Sequence, residues 1–171
     1  MTPTEILLVQ TKEAHQWTLK LINSIPDDKW LTLPPIIESN IHWQVGHLII
    51  THFYHNIVCL KTPQQDVFTL IPIMDYYPVF TAGGHAKSES IITAAELKQN
   101  LDKVQSKALS IIEQLDEKDL RSELFPTQFP HPIAKTKFEA LSWNIQHTMW
   151  HCGQIALIKR VVDKPFSFDE S

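Results

Sequence analysis

Glycine, cysteine and basic charge are all scarce in this chain of 171 residues. Four glycines are too few for the glycine-rich phosphate loops of Rossmann and P-loop proteins, and neither pattern occurs in the sequence. Two cysteines, Cys59 and Cys152, cannot build a disulfide framework, so we expect a reducing compartment. A net charge of −4 with scattered Lys and Arg gives no electrostatic footprint for nucleic acid, so we expect no such partner.

Long apolar runs are also missing. No stretch approaches the roughly 20 apolar residues that span a bilayer, so we expect no membrane partner. The first residues, Met-Thr-Pro-Thr-Glu, lack the layout of a signal peptide, and we therefore expect a cytoplasmic protein. A hydrophobic content of 43% suits a single globular domain that spans residues 1–171.

Helical periodicity is the dominant pattern in the sequence. The apolar spacing, with capping boxes at Thr93-Ala-Ala-Glu96 and Thr136-Lys-Phe-Glu139, predicts four long helices. Their predicted ranges are about 3–24, 40–61, 93–116 and 136–162. Prolines make the intervening segments irregular, namely 26–38, 62–90 and 117–135. In the first of these segments we expect Trp30 and Leu31 to pack onto the core. No strand pattern competes, so we predict an all-α four-helix bundle whose long linkers permit crossover connections.

The second predicted helix is apolar on nearly all sides, which suits a bundle interior or a dimer interface. Gly46 in this helix and Gly153 in the fourth each cost about 1 kcal/mol relative to Ala. We therefore expect each glycine to allow another helix to approach closely, or else to mark a kink. The aromatic-rich 62–90 segment is long enough to form a lid or a pocket wall.

Two histidines four residues apart in the fourth helix are the strongest functional signal. His147 and His151 lie about 40° apart around the helix axis, because each residue turns the helix by about 100°. Imidazoles at this spacing can reach one metal ion, but a metal needs a third ligand. His47 on the second helix is the candidate. The alternative is a hydrogen-bonded pair of core or surface histidines without a metal.

The other histidines are interpreted as structural. His52 and His55 lie three residues apart, on the more polar side that the second helix shares with Gln44, and we expect them to be solvated, rim or interface residues. His15 is expected on the surface or at the edge of the bundle. Two more lie in loops beside Gly or Pro, and the sequence predicts no partner for them: His85 and His131.

Two segments resemble the signature segments of the DinB-like superfamily, which includes YfiT-type metal-dependent hydrolases. They are Trp43-Gln-Val-Gly-His47-Leu on the second helix and His147-Thr-Met-Trp-His151-Cys-Gly-Gln154-Ile on the fourth. The resemblance implies an up-down-down-up four-helix bundle, usually a homodimer. It also implies one divalent metal ion, such as Zn²⁺, Ni²⁺ or Fe²⁺, held by His47, His147 and His151. Relatives include thiol S-transferases that use bacillithiol or mycothiol.

Three histidines leave coordination positions open, which is the arrangement of a catalytic metal site. An open position suits either a water for hydrolysis or a thiolate for S-transfer. Hydrolases usually place a carboxylate beside the metal, yet the nearest acids, Glu139 and Glu38, lie two turns or more away. We therefore expect transfer of a low-molecular-weight thiol to small electrophiles. The alternatives are YfiT-type hydrolysis and a non-catalytic dimer with a vestigial metal site. Six residues are expected to line a substrate pocket or else to belong to the bundle core: Trp43, Tyr54, Trp143, Asn144, Trp150 and Gln154.

Overall fold

Helices make up the secondary structure of the computed structural model, which describes residues 1–60, 68–81 and 92–167. The helices are α1 (Pro3–Asn23), α2 (Ile41–Phe53), α3 (Ile73–Phe80), α4 (Ala94–Ile112), α5 (Glu117–Arg121) and α6 (Lys137–Val162). A 3₁₀ turn, Asp27–Lys29, follows α1, and a π-helical turn, Tyr54–Val58, continues α2. Within these ranges the extended pairing is one isolated bridge between Glu123 and Thr136. The prediction of an all-α protein is confirmed.

Threonine caps begin three of the four long helices. Thr2, Thr93 and Thr136 each accept a hydrogen bond from the backbone N–H three residues later, and the glutamate there bonds back to the backbone N–H of the threonine. Each box satisfies two of the N–H groups that the first turn of a helix leaves unpaired. The two boxes predicted from the sequence are therefore present, and α1 and α6 have the predicted bounds to within a residue.

The four long helices pack around one continuous cluster of buried side chains. Both α1 and α2 pack against α4 and α6. Gln44 near the start of α2 bonds Gln154 near the end of α6, whereas His52 bonds Asn144, so α2 and α6 run antiparallel. The up-down-down-up order, the single domain and the homodimer stay predictions. Among the described helices, none combines the length and apolar character that a membrane span requires.

Several predicted boundaries are wrong. The α-helical bonding of α2 ends at Phe53 rather than near residue 61, because the chain continues as the π-helical turn. Helix α4 ends at Ile112 rather than near Asp116, since the Asp116 side chain caps α5. Two segments predicted to be irregular contain the short helices α3 and α5. Trp30 is buried as predicted, but Leu31 is exposed.

The two glycines differ in their surroundings. A Cβ on Gly46 would lie 2.4–2.5 Å from ring atoms of Phe80, so this glycine allows α3 to pack directly on α2. The predicted close approach at Gly46 is confirmed. A Cβ on Gly153 would meet nothing within 4 Å, so the same prediction for Gly153 is wrong.

Polar side chains from all four long helices lie inside the bundle. This polar core consists of Thr11, His15, His52, Asn56, Gln105 and Asn144, all of them buried. The ring centroids of His15 and His52 are 4.8 Å apart, and the Asn144 amide donates to His52 Nδ1 over 3.0 Å. The predictions of solvated His52 and His55 and of a surface His15 are therefore wrong. The polar side of α2 faces this core instead of solvent.

Candidate metal centre

Three histidines converge between α2 and α6. Ring nitrogens of His47, His147 and His151 all lie within 4.8 Å of one another. His151 is buried, while His47 and His147 are partly exposed, so the cluster can be reached from solvent. Antiparallel packing explains the meeting, because it brings the middle of α2 opposite the middle of α6. The three residues that the sequence predicted to meet are thus adjacent in the structure.

A backbone carbonyl fixes the orientation of the His47 ring. Its Nδ1 lies 2.8 Å from the carbonyl oxygen of Phe80, the last residue of α3. A carbonyl only accepts hydrogen bonds, so Nδ1 carries the proton and Nε2 keeps its lone pair. The Trp43 ring stacks on the other side of this histidine, with centroids 4.7 Å apart and planes 11° from parallel. The imidazole is therefore held from two directions.

An amide network fixes His151 in the same way. The Nε2 group of Gln44 donates to Ser39 Oγ over 2.7 Å and to Gln154 Oε1 over 2.8 Å. Both of its hydrogens are used, so Gln44 Oε1 is the atom that faces His151 Nδ1. His151 donates from Nδ1, and its Nε2 also keeps a lone pair. Metal-bound histidines usually have such a partner on the second ring nitrogen.

The donor set fits a divalent metal ion. His147 Nε2 lies 3.1 Å from His151 Nε2. Two imidazole nitrogens that share a tetrahedral ion at about 2.1 Å stand about 3.4 Å apart, close to this separation. His147 Nδ1 is buried without a hydrogen-bond partner among the described residues. Neutral imidazoles suit Zn²⁺, Ni²⁺ and Fe²⁺ alike, so the set does not select one metal.

Burial keeps the three rings neutral. Desolvation lowers the pKa of all three histidines. For His147 and His151 the neighbouring imidazoles contribute as well, and their pKa values fall to about 4 and about 3. A ring that is neutral at physiological pH offers a lone pair without first losing a proton. The three rings are thus able to bind a cation at neutral pH without releasing protons.

Acids and thiols lie outside the cluster. Within the described ranges, the grouping of potential metal ligands contains these three histidines and no carboxylate. Glu139 is occupied as a helix cap, accepting from the backbone N–H groups of Lys135 and Thr136. Burial raises the pKa of the Cys152 thiol, which contacts Thr18 Oγ1 at 3.3 Å. Cys152 is thus a buried thiol that packs against α1.

The predicted pocket residues are spread over different surroundings. Trp43 stacks on His47, and the Trp143 ring lies 5.7 Å from that of His147. Asn144 and Gln154 instead bond His52 and Gln44. Trp150 is 63% exposed, so a role as pocket wall does not fit its position. Tyr54 bonds the carbonyl of Phe129 over 3.0 Å and holds a loop rather than facing the three histidines.

Sequence reasoning missed the groups that orient the histidines. Gln44 precedes His47 by three residues on α2, and this spacing places both on one face of a helix. The spacing of Gln44 and His47 in the sequence could therefore have identified this partner. Phe80 acts through its backbone carbonyl, which no side-chain pattern reveals. His131 bonds His55, a partner that was not predicted, and His85 lies outside the described residues.

Comparisons with known proteins agree with this fold. The profile of the DinB superfamily matches residues 10–155. A crystal structure of a conserved protein from Enterococcus faecalis aligns with a TM-score of 0.61 at 17% identity, covering 95% of this chain and 98% of that one. At such low identity the likeness shows the fold alone. Among curated proteins, none matches the chain. Because the profile covers most of its length, the chain belongs to the DinB superfamily.

Proposed function

We propose that this protein is a metal-dependent enzyme that transfers a low-molecular-weight thiol, of the bacillithiol type, to small electrophiles. One observation carries the proposal. Three neutral imidazoles meet between α2 and α6, and the Phe80 carbonyl and the Gln44 amide place the ring protons of His47 and His151 on Nδ1, so that each Nε2 carries a lone pair. Membership of the DinB superfamily supports a metal at this position.

The three histidines would hold one divalent ion and leave part of its coordination sphere for a substrate. Such an ion supplies Lewis acidity, which favours the ionised form of a thiol. In the transfer, the thiol sulfur forms a bond to an electrophilic carbon of the acceptor. The bond from that carbon to its leaving group breaks, the leaving group keeps the electron pair, and the thiol proton passes to solvent.

The residues around the cluster have separate tasks in this proposal. Trp43 limits rotation of the His47 ring by stacking on it. Trp143, half-buried beside His147, offers an apolar surface to a small electrophile. Partial exposure of His47 and His147 gives the thiol a way in. Because the described residues bring no carboxylate into the cluster that could act as a general base, hydrolysis is the weaker alternative.

A thiol-transfer assay tests the proposal. The protein, loaded in turn with Zn²⁺, Ni²⁺ or Fe²⁺, is mixed with chlorodinitrobenzene and a panel of low-molecular-weight thiols that includes bacillithiol. We expect thioether formation above the uncatalysed rate with at least one metal. The His147→Ala variant should lose this rate. Gln146→Ala should keep it, because Gln146 is exposed and its hydrogen bonds among the described residues go to Ser142 of its own helix.

The controls separate the alternatives. Ester hydrolysis without a thiol, lost in His147→Ala, would favour a hydrolase instead. A protein that binds metal but accelerates neither reaction would favour the alternative of a non-catalytic dimer with a vestigial metal site. A rate that survives in His147→Ala would place the reaction elsewhere on the molecule.

A further inference from the structure

A second histidine pair lies beside the metal centre. His55 Nδ1 is 2.8 Å from His131 Nε2, and the His55 ring is 6.2 Å from the ring of His147. His55 belongs to the π-helical turn, and its side chain is buried. Neither His55 nor His131 is among the three proposed metal ligands. The position of His55 beside His147 therefore needs its own explanation.

Hydrogen bonds fix the proton positions on both rings. The backbone N–H groups of Ile133 and Ala134 donate to His131 Nδ1, over 3.1 and 2.8 Å. This nitrogen can therefore only accept, and the single proton of the neutral His131 ring is on Nε2. It donates to His55 Nδ1, which must then accept. The proton of the neutral His55 ring is consequently on its Nε2, the nitrogen that His131 leaves free.

The segment that carries His131 is anchored on the same turn. The Tyr54 hydroxyl donates to the Phe129 carbonyl over 3.0 Å, and the Tyr54 ring stacks on His131 with centroids 5.8 Å apart and planes 18° from parallel. Further along, the Phe125 N–H donates to the Cys59 carbonyl over 2.9 Å. His131 is thus held by its neighbours on both sides, and it can hold His55 in turn.

We infer that His55 Nε2–H is a fixed hydrogen-bond donor for an anionic ligand bound at the His47, His147 and His151 cluster, and that His131 positions it. This inference rests on the proposed metal site. A donor that cannot become an acceptor selects ligands by charge: it strengthens the binding of a thiolate or another anion. His55 contacts the ligand in this account, whereas His131 acts only through His55.

Azide binding to the Co²⁺-loaded protein tests the inference, since azide is a simple anion and Co²⁺ reports its binding by visible absorption. We expect the dissociation constant for azide to rise about tenfold or more in His55→Leu, the loss typical of one hydrogen bond to a charged group. His55→Gln, which keeps an N–H donor, should recover part of the affinity. Co²⁺ content should stay that of the parent. Thr51→Ala is the matched control on α2, because within the described part of the chain its hydroxyl bonds the carbonyl of Leu48 on the same helix.

Nitrogen-15 spectroscopy of the metal-free protein gives a second readout. We expect both His55 and His131 as Nε2–H tautomers in the parent, and a mixture of tautomers for His55 in His131→Leu. Unchanged azide affinity in His55→Leu, or a parent His55 protonated at Nδ1, would overturn the inference. A parent that binds no Co²⁺ would instead count against the proposed function, and the tautomers could still be measured.

Discussion

At the scale of single residues, the metal centre depends on which nitrogen of each ring carries the proton. His47 and His151 are fixed by acceptors, a backbone carbonyl in one case and a side-chain amide in the other. These contacts place the ring proton of each histidine on Nδ1, so the lone pair that can bind a metal is on Nε2. Loss of an acceptor should weaken metal binding, because the histidine stays in place but its ring can then rotate.

Replacement of Gln44 tests this role. Gln44→Leu keeps the size of the side chain but removes the acceptor of the His151 Nδ1 proton. Loss of such a partner typically weakens metal binding by about 10- to 100-fold. Competition with a chelator of known affinity measures the change, with Gln146→Leu as the exposed control on α6. Equal affinity in Gln44→Leu and the parent would contradict the assigned role.

At the scale of elements, contacts between helices decide where these acceptors lie. The Phe80 carbonyl reaches His47 because α3 packs on α2 at Gly46, where the ring of Phe80 fills the space of a side chain. The π-helical turn after α2 also contributes to the site. It carries Tyr54 and His55, which contact the segment around His131.

A pair of glycine substitutions tests the packing of α3. Gly46→Ala forces the Phe80 ring to move, and overpacking of this kind should lower the free energy of unfolding by about 2 kcal/mol. Metal affinity should fall as well, because the carbonyl that holds His47 belongs to Phe80. Gly153→Ala meets no neighbouring atom and should raise the free energy of unfolding by up to about 1 kcal/mol. Chemical denaturation measures both, and equal effects would contradict the contact.

Local sequence signals predicted the helices, whereas features that depend on contacts between helices were not predicted. Capping boxes and apolar spacing located α1, α4 and α6, since these signals act within a few residues. The i, i+4 spacing and the resemblance of two segments identified the histidines that meet. The burial of His52 was not predictable, because its partners His15 and Asn144 come from other helices. Backbone acceptors and the π-helical turn leave no pattern in the side chains.

At the scale of the whole molecule, the interior of the bundle contains buried polar side chains besides those of the metal centre. Within the described ranges, atoms of His15, His52, Asn56 and Gln105 are buried without a hydrogen-bond partner from the protein. Buried polar groups of this kind are usually satisfied by ordered water. The bundle therefore gives up some stability to keep these side chains inside, and its stability should depend on the protonation of the two histidines among them.

A pH dependence of stability follows from His15. Burial lowers its pKa from 6.5 to about 4 in the folded protein. Above pH 6.5 the ring is neutral in both states. Between pH 6.5 and 4 the unfolded chain binds a proton that the folded protein does not, so the free energy of unfolding falls, by about 3 kcal/mol at most. Urea denaturation across this range measures the fall, which should be smaller in His15→Leu. An equal fall in both proteins would contradict the assignment.

The metal content of the protein tests the central claim most directly. Parent protein and the single variants His47→Ala, His147→Ala and His151→Ala are equilibrated with limiting mixed divalent metals, and bound metal is measured by elemental analysis. The account predicts about one equivalent in the parent and in the control Gln146→Ala, and almost none in the three histidine variants. Full metal content in any of the three, or no stoichiometric metal in the parent, would contradict it.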